Sequence, residues 1–447
     1  MKKLVPLIIL LCCSHLKAQQ PVVDPQISDF VKNANKDSLR ANVEKMVSFG
    51  TRHTMSSTTD PKRGIGAARN WVLAKFRHYA KNSGGRMEVY LQNQDLKPDG
   101  KRINKVTNLG NAIALLKGTD PNDKRIIIMS GHLDSRVSDV MDAQSDAPGA
   151  NDDASGVAAV IEAARVLSTS KFPASILFVA VSGEEQGLLG AKMLADQAKN
   201  ENWQVLAVLN NDMIGNNTFD QTNKGEKPKL RVFSEGLPAI DTEKAAAGLR
   251  ALGLENDGAA RQLARYTKET GERYVKDIDI KLIYRNDRFL RGGDHTPFVN
   301  HGFTAVRLTD WFENYDHQHQ DIKLENGKQY GDLIKFMDFD YLKTNTEVNV
   351  AVLANLAKSP QQPMNVKMAV RELTNSTALR WEKPEIGKVK GYNILIRETS
   401  SAVWTEKIFT TETSATVLYS KDNFLFAVQS VSENGNESLP VIPQVSR

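Results

Sequence analysis

Four short stretches restrict what this chain can become: GHLDS, GANDDASG, VSGEEQG and NNDMIG, all between residues 129 and 215. Each is read as setting acidic or imidazole side chains at the end of an apolar, strand-like run, with small residues that permit a tight turn. His132, Asp134, Asp152, Glu184, Glu185 and Asp212 are thereby gathered in one part of the fold. Taken singly they decide nothing. A histidine after a strand is more often a satisfied core or surface residue, Glu184-Glu185 ahead of a helix suits the helix dipole, and Asp152-Asp153 before Ala154 suits a helix cap. Those readings do not predict four acidic or imidazole turns at one edge of one sheet, whereas a metal centre does. Oxygen ligands with one imidazole per ion suit zinc, and less specifically manganese or cobalt. A carboxylate bridging two ions would hold them about 3.5 to 4 Å apart. Two ions also need a second imidazole from downstream, where His317 and His319 stand.

The pattern around these motifs predicts an α/β fold. Residues 125–130, 176–181 and 205–209 are continuous apolar runs, while 154–167 and 188–198 repeat at helical period. Strands of that kind, separated by helices, form a mostly parallel central sheet flanked by helices on both faces, with ligands at the carboxyl ends of the strands. Further helices are expected at 38–47, from Pro61 through Phe76, at 239–252, 258–270 and 331–358. Strands are expected at 87–91, 112–116, 280–284 and 304–308, with a polar stretch up to Lys36 and a surface loop at 218–229. Residues 359–363, SPQQP, read as a linker. Beyond them short alternating strands at 377–381, 391–397, 415–418 and 424–431 predict a small all-β sandwich over 364–447.

At 447 residues two domains are the default, and 40% hydrophobic with 25% charged residues is the balance of a soluble globular protein. The net charge of +5 is spread without a basic block, so no nucleic-acid partner is expected. Residues 1–18 carry Lys2 and Lys3, the apolar run from Val5 to Cys13 and a close near Ala18, the pattern of a signal peptide. That run is too short to span a bilayer as a mature helix. Its removal would take away three lysines, no acid and both cysteines, Cys12 and Cys13. The mature chain, 19–358 plus the linker and sandwich, would then be secreted or periplasmic without a disulfide.

The motifs GHLDS, APGANDDASG, GEEQGLLGA and NDMIG, with a late histidine motif, resemble the secreted di-zinc aminopeptidases of peptidase family M28 over residues 105–357. The resemblance implies a zinc-exopeptidase fold and two Zn2+ per chain. His132 and Asp212 would hold one ion, Glu185 and a downstream histidine the other, and Asp152 would bridge them. Asp134 would accept the second ring N–H of His132, and Glu184 would be the general base acting on a metal-bridging water. The family's spacing favours His317, four residues before Asp321, with His319 as the alternative. GGDHTPF, containing Asp294 and His295, matches a motif lining the site. The family's oxyanion tyrosine has no counterpart before it, and Arg291 or Tyr315 are the substitutes at hand. Substrates would be peptide or protein N-termini. A carboxypeptidase would need a basic pocket, for which Arg291 and Arg307 are available; a glutaminyl cyclase would need only one zinc. A scaffold without activity is disfavoured, because all the ligands and the base are present. Trp381, Tyr392 and the ending GNESLP resemble a fibronectin type III module, with Phe424 where a corner tyrosine is common. Such a module would bind a surface or polymer, or stabilise the enzyme.

Overall fold

The computed structural model describes residues 22–217, 227–237 and 243–446. The leader at 1–18 and most of the 218–229 segment lie outside them, as does the start of the helix expected from 239. No described helix is long and apolar enough to cross a membrane.

Three helices come first, α1 (Pro25–Lys32), α2 (Lys36–Val47) and α3 (Ile65–Ala80). The first replaces the expected polar stretch. Asp24 caps it by accepting from the Gln26 N–H, Pro25 suits its first turn, and Ile27, Phe30 and Val31 are buried on one face. α3 does not open at Pro61. The Asp60 carboxylate accepts from the Lys62 and Arg63 N–H groups, which makes Pro61 part of a turn, and the helix follows Gly64.

The chain then runs through β1 (Met87–Leu96), β2 (Thr107–Leu116), β3 (Arg125–His132), α4 (Ala154–Leu167), β4 (Ser175–Val181), α5 (Leu189–Asn200), β5 (Gln204–Asn211) and β6 (Lys229–Ser234). It continues through α6 (Glu243–Leu252), α7 (Ala259–Tyr274), β7 (Asp279–Ile283), α8 (His295–Asn300) and β8 (Ala305–Asp310). The hairpin of β9 (Lys323–Glu325) and β10 (Lys328–Tyr330) precedes α9 (Phe339–Lys358). Eight strands make one sheet in the order β1-β2-β4-β3-β5-β8-β6-β7. Its centre, β4-β3-β5-β8, is parallel as expected. The flanking pairs β1-β2, β2-β4 and β6-β8 are antiparallel. β6 was hidden by its charges. Leu230 and Val232 are buried while Lys229 and Arg231 are half-buried, which is the alternation of a strand with one covered face.

α3, α4 and α9 cover one face of the sheet, α5 and α8 the other. α4 is apolar almost all round and buried at every position except Arg165, as a helix between a sheet and further helices must be. α9 starts at Phe339 rather than near 331, because Asp338 accepts from the Asp340 and Tyr341 N–H groups and caps it there.

The sandwich contains β11 (Met364–Ala369), β12 (Thr377–Glu382), β13 (Gly391–Glu398), β14 (Glu406–Thr410), β15 (Ser414–Val417), β16 (Phe424–Val431) and β17 (Gln444–Ser446). They form the sheets β15-β12-β11-β17 and β14-β13-β16. Between the sheets Trp381 meets Tyr392 edge-on at 5.4 Å. Phe424 meets Tyr419 edge-on at 5.0 Å, so ring packing takes the place of a corner tyrosine. The segment read as a linker is no exposed tether: Ser359 and Pro360 are buried, and Arg125 donates to the Ser359 carbonyl at 2.8 Å and the Pro360 carbonyl at 3.2 Å.

Candidate metal centre

Because β3, β4 and β5 are parallel, their ends share one edge, and three of the four motifs leave from it. His132 closes β3, Glu184 and Glu185 follow β4, and Asp212 follows β5. The fourth departs from the expectation, since Asp152 follows no strand and stands just ahead of α4. Two glycines bring it to the edge. A Cβ on Gly131 would lie 2.5 Å from the carbonyl carbon of Gly156, so the first turn of α4 presses directly on the end of β3.

Three buried carboxylates then fix the loops from behind. Asp153 caps α4 through the Gly156 N–H and also accepts from the N–H groups of His132 (2.9 Å) and Met213 (3.1 Å), tying three motifs together. Asp332 accepts from the N–H groups of Asn151 (2.9 Å) and Asp152 (2.7 Å). Asp134 accepts from the N–H groups of Gly183 (2.9 Å), Glu184 (3.2 Å) and Glu185 (3.1 Å), and from the Thr54 hydroxyl (2.9 Å). Nδ1 of His132 meets the Asp134 backbone carbonyl at 3.0 Å, and the carboxylate stands 3.7 Å away because the glutamate turn occupies it.

The second ring nitrogen of His132 faces two of the carboxylates. Nε2 lies 3.0 Å from Asp152 Oδ1 and 3.8 Å from Asp212 Oδ1. On the other side His319 Nε2 lies 3.0 Å from Asp152 Oδ2 and 2.9 Å from Glu185 Oε1. The ligand atoms of His132, Asp152 and Asp212 fall within 4.8 Å of one another, and so do those of Asp152, Glu185 and His319. Asp152 belongs to both groups, offering one oxygen to each. A third group of the same compactness joins His132 with Glu184 and Glu185.

His317, favoured by the family's spacing, stands outside these groups. Its ring stacks on Phe336 with centroids 3.6 Å apart, and its Nδ1 has no partner. The local backbone explains the exchange. Residues 314–318 form a turn closed by the Asn314 carbonyl, and His319 takes a left-handed conformation (φ 56°) that re-aims the chain at Asp152. Gln318 is carried along and donates to Asp152 Oδ2 at 3.0 Å. Counting residues to Asp321 could not show which histidine the turn would point inward.

The donor set fits zinc. Glu185 Oε1 is buried without a hydrogen-bond partner, although His319 Nε2 is 2.9 Å away. Close approach of nitrogen and oxygen without hydrogen-bond alignment is how two ligands of one ion face each other. Arg136 supports both, with Nε 2.9 Å from Glu185 Oε2 and Nη2 2.7 Å from His319 Nδ1. A guanidinium only donates, so in this arrangement the neutral ring carries its proton on Nε2, and a metal there displaces it.

Arg307, on β8, is fully buried and reaches Asp212 Oδ2 at 3.0 Å and Asp287 Oδ1 at 2.6 Å. Burial raises the Asp212 carboxyl, but the Arg307 guanidinium and His132 outweigh it and hold the group below the usual carboxylate range. Glu184 goes the other way: burial, with Glu185 and Asp212 beside it, pushes its carboxyl well above that range against the pull of His132. Asp294 is buried at the start of α8 with neither oxygen partnered, and burial pushes it up to about 8. Arg288 and Arg136 carried no motif signal, and Arg307 was considered only as a pocket residue; their contacts with Glu313, Glu185 and Asp212 come from folding. Tyr315 is 68% exposed and Arg291 lines the cleft over Glu184, an open space of ≈ 430 Å³.

The family model described as peptidase family M28 matches residues 111–330, and that of the fibronectin type III domain matches 360–444. A probable zinc metalloprotease of Leptosphaeria maculans is 42% identical over 95% of this chain and 98% of its own length. A probable zinc metalloprotease of Pyricularia oryzae is 42% identical over 96% and 86%. Among solved structures, the LapA aminopeptidase of Legionella pneumophila is similar with a TM-score of 0.53 at 19% identity, covering 80% of each chain. A leucine aminopeptidase precursor from Bacteroides thetaiotaomicron is similar with a TM-score of 0.50 at 18% identity, covering 75% of this chain and 99% of its own. At these identities the structural likeness speaks for the fold.

Proposed function

The chain belongs to peptidase family M28 and is a zinc metallopeptidase, and from that premise we propose that it is an exported aminopeptidase working with two zinc ions. One observation carries the reading: two compact ligand groups share Asp152, with Glu184 beside them on an open cleft. His132 and Asp212 would hold one ion, Glu185 and His319 the other, with Asp152 between them. Bound zinc supplies Lewis acidity, polarising the substrate carbonyl and easing the ionisation of water.

Glu184 is the general base. Its raised affinity for protons suits a group that takes one from the attacking water and delivers it to the leaving amine. Asp134 fixes the Glu184 backbone, so the base and its neighbour Glu185 keep their separate directions. A free α-amine is attracted to the acidic cluster, which favours cleavage from the N-terminus. The carboxypeptidase alternative loses one of its supports here, since Arg307 is fully buried against Asp212 and Asp287 and cannot meet a substrate. Export rests on the leader at 1–18.

The test is metal content together with hydrolysis of aminoacyl amides and N-blocked peptides by wild type and Glu184→Gln. Two zinc per chain, cleavage of free-amine substrates only, and a rate lower by about 10²- to 10⁴-fold in the variant are expected. Cleavage of N-blocked peptides from the C-terminus would replace this reading with the carboxypeptidase one.

A further inference from the structure

The cleft over Glu184 is lined by arginines as well as acids. Arg102, Arg136, Arg288 and Arg291 face it together with Asp152, Glu184, Glu185 and Asp212. Four cations thus offset four anions along the cleft, so its wall is not uniformly acidic: an amine can meet the carboxylates and a carboxylate the arginines. Two of the arginines are committed. Arg136 is held by Glu185, and Arg288 by Glu313 at 2.7 Å. The other two have no carboxylate within ion-pair distance among the described residues.

Arg102 is held in place by backbone contacts. Asp99 Oδ1 accepts from the N–H groups of Lys101 (2.8 Å), Arg102 (2.9 Å) and Ile103 (2.9 Å), and the Ile103 side chain is buried. Its Nη1 donates to the Glu185 carbonyl at 2.8 Å, which fixes the guanidinium beside the ligand turn and leaves its remaining N–H groups unclaimed among the described residues. Arg291 approaches from another loop. Its N–H donates to the Arg288 carbonyl at 3.0 Å, and Leu290 before it is left-handed (φ 58°) and 90% exposed. A non-glycine residue pays for that conformation, and the next residue sets its guanidinium at the cleft with no carboxylate partner among the described residues.

We propose that Arg102 and Arg291 bind a carboxylate of the substrate, making this site selective for peptides that carry one within a residue of the scissile bond. Planar, paired recognition of a carboxylate is what guanidinium groups do best. The carboxylate has two sources, an acidic side chain on the first or second residue, or the α-carboxylate of a dipeptide. The inference rests on the aminopeptidase reading for its reaction and on the cleft alone for its binding.

The experiment compares kcat/KM of the zinc-loaded protein for Leu-Gly-Leu-amide, Glu-Gly-Leu-amide, Leu-Glu-Leu-amide, and Leu-Gly with a free or an amidated C-terminus. At least one carboxylate-bearing member should exceed its neutral counterpart tenfold or more, and which one identifies the source. In Arg102→Gln and Arg291→Gln that ratio should fall towards one, and Arg291→Glu should turn the preference to lysine at the same position. A wild-type ratio near one overturns the proposal while leaving the aminopeptidase intact. Equal loss on neutral and acidic substrates in Arg291→Gln also overturns it, and makes Arg291 a transition-state donor. If no free-amine substrate is cleaved, the activity reading fails and calorimetric binding of glutarate decides: at least fivefold weaker binding in both variants supports the carboxylate site, and unchanged binding overturns it.

Discussion

Two regions of this molecule bury charge, and they do so in opposite ways. At the sheet edge the buried carboxylates of Asp152, Glu185 and Asp212 crowd towards one another around His132 and His319, Glu185 paired with Arg136 and Asp212 with Arg307, but Asp152 with no lysine or arginine in ion-pair distance among the described residues. Where the sandwich meets α7 and α9, every buried acid has its base. Glu437 pairs with Arg273 at 2.7 Å and Lys407 at 2.9 Å, and Lys407 also contacts Glu269. Asp257 pairs with Arg265 at 3.0 Å and Arg397 at 2.6 Å, while Asp24 takes Lys358 at 2.5 Å and the Asn436 amide at 3.0 Å. Carboxylates crowded around a shared Asp152 and faced by imidazole nitrogens call for a cation from outside, whereas matched pairs need nothing further. The first region is built to bind and the second to hold two domains together.

The largest effects should come from breaking the unmatched region. Chelation should abolish peptidase activity, and zinc should restore it. His319→Ala should lose one of the two ions and more activity than the about 10- to 100-fold typical of removing a group that merely supports a ligand. His317→Ala should keep both, since its ring lies against Phe336; metal analysis of the two variants side by side distinguishes them. Loss of zinc in His317→Ala with retention in His319→Ala would make His317 the ligand.

The matched region should fail through stability instead. Glu437→Gln leaves Arg273 and Lys407 with Glu269 as their one remaining acid, and denaturant unfolding should show a loss of about 1.5 to 3 kcal/mol with zinc content unchanged. The same residue gives a pH signature. Burial opposes the Glu437 charge, but Lys407 and Arg273 outweigh it and hold the carboxyl below its ordinary value. Its folded value is thus the lower one. The stabilisation is complete above the unfolded value of about 4.3 and is lost as pH falls through the folded value. Unfolding curves between pH 6 and pH 3 should therefore converge for wild type and Glu437→Gln. The smallest effect belongs to the exposed helical pair Lys192–Asp196, where Lys192→Ala should cost less than about 0.5 kcal/mol.

The interface also bears on the small domain. Leu439 of the sandwich joins the main hydrophobic cluster of the larger unit, and the Tyr266 hydroxyl donates to the Glu437 carbonyl at 2.8 Å. The expectation of a module on a linker came from the composition of SPQQP. Composition reports a segment's local preference and says nothing of Arg125, more than two hundred residues earlier, which closes on it.

What was legible in the sequence is what repeats locally. Apolar runs marked β3, β4 and β5, helical periodicity marked α4 at both its ends, and the motifs named His132, Asp152, Glu184, Glu185 and Asp212 before any contact was known. α1 and β6 were lost because polar and charged residues on their open faces masked the buried ones. Tertiary structure alone decided what depends on direction or on distant partners. It placed His319 rather than His317 beside Asp152 and Glu185 through one left-handed residue, set the Asp134 carboxylate on the N–H groups of the glutamate turn, and brought Asp152 to the sheet edge through the contact of Gly131 with Gly156. Residue type sets which atoms can bind a metal, and that is written in the chain. Which of them converge depends on the backbone path between them.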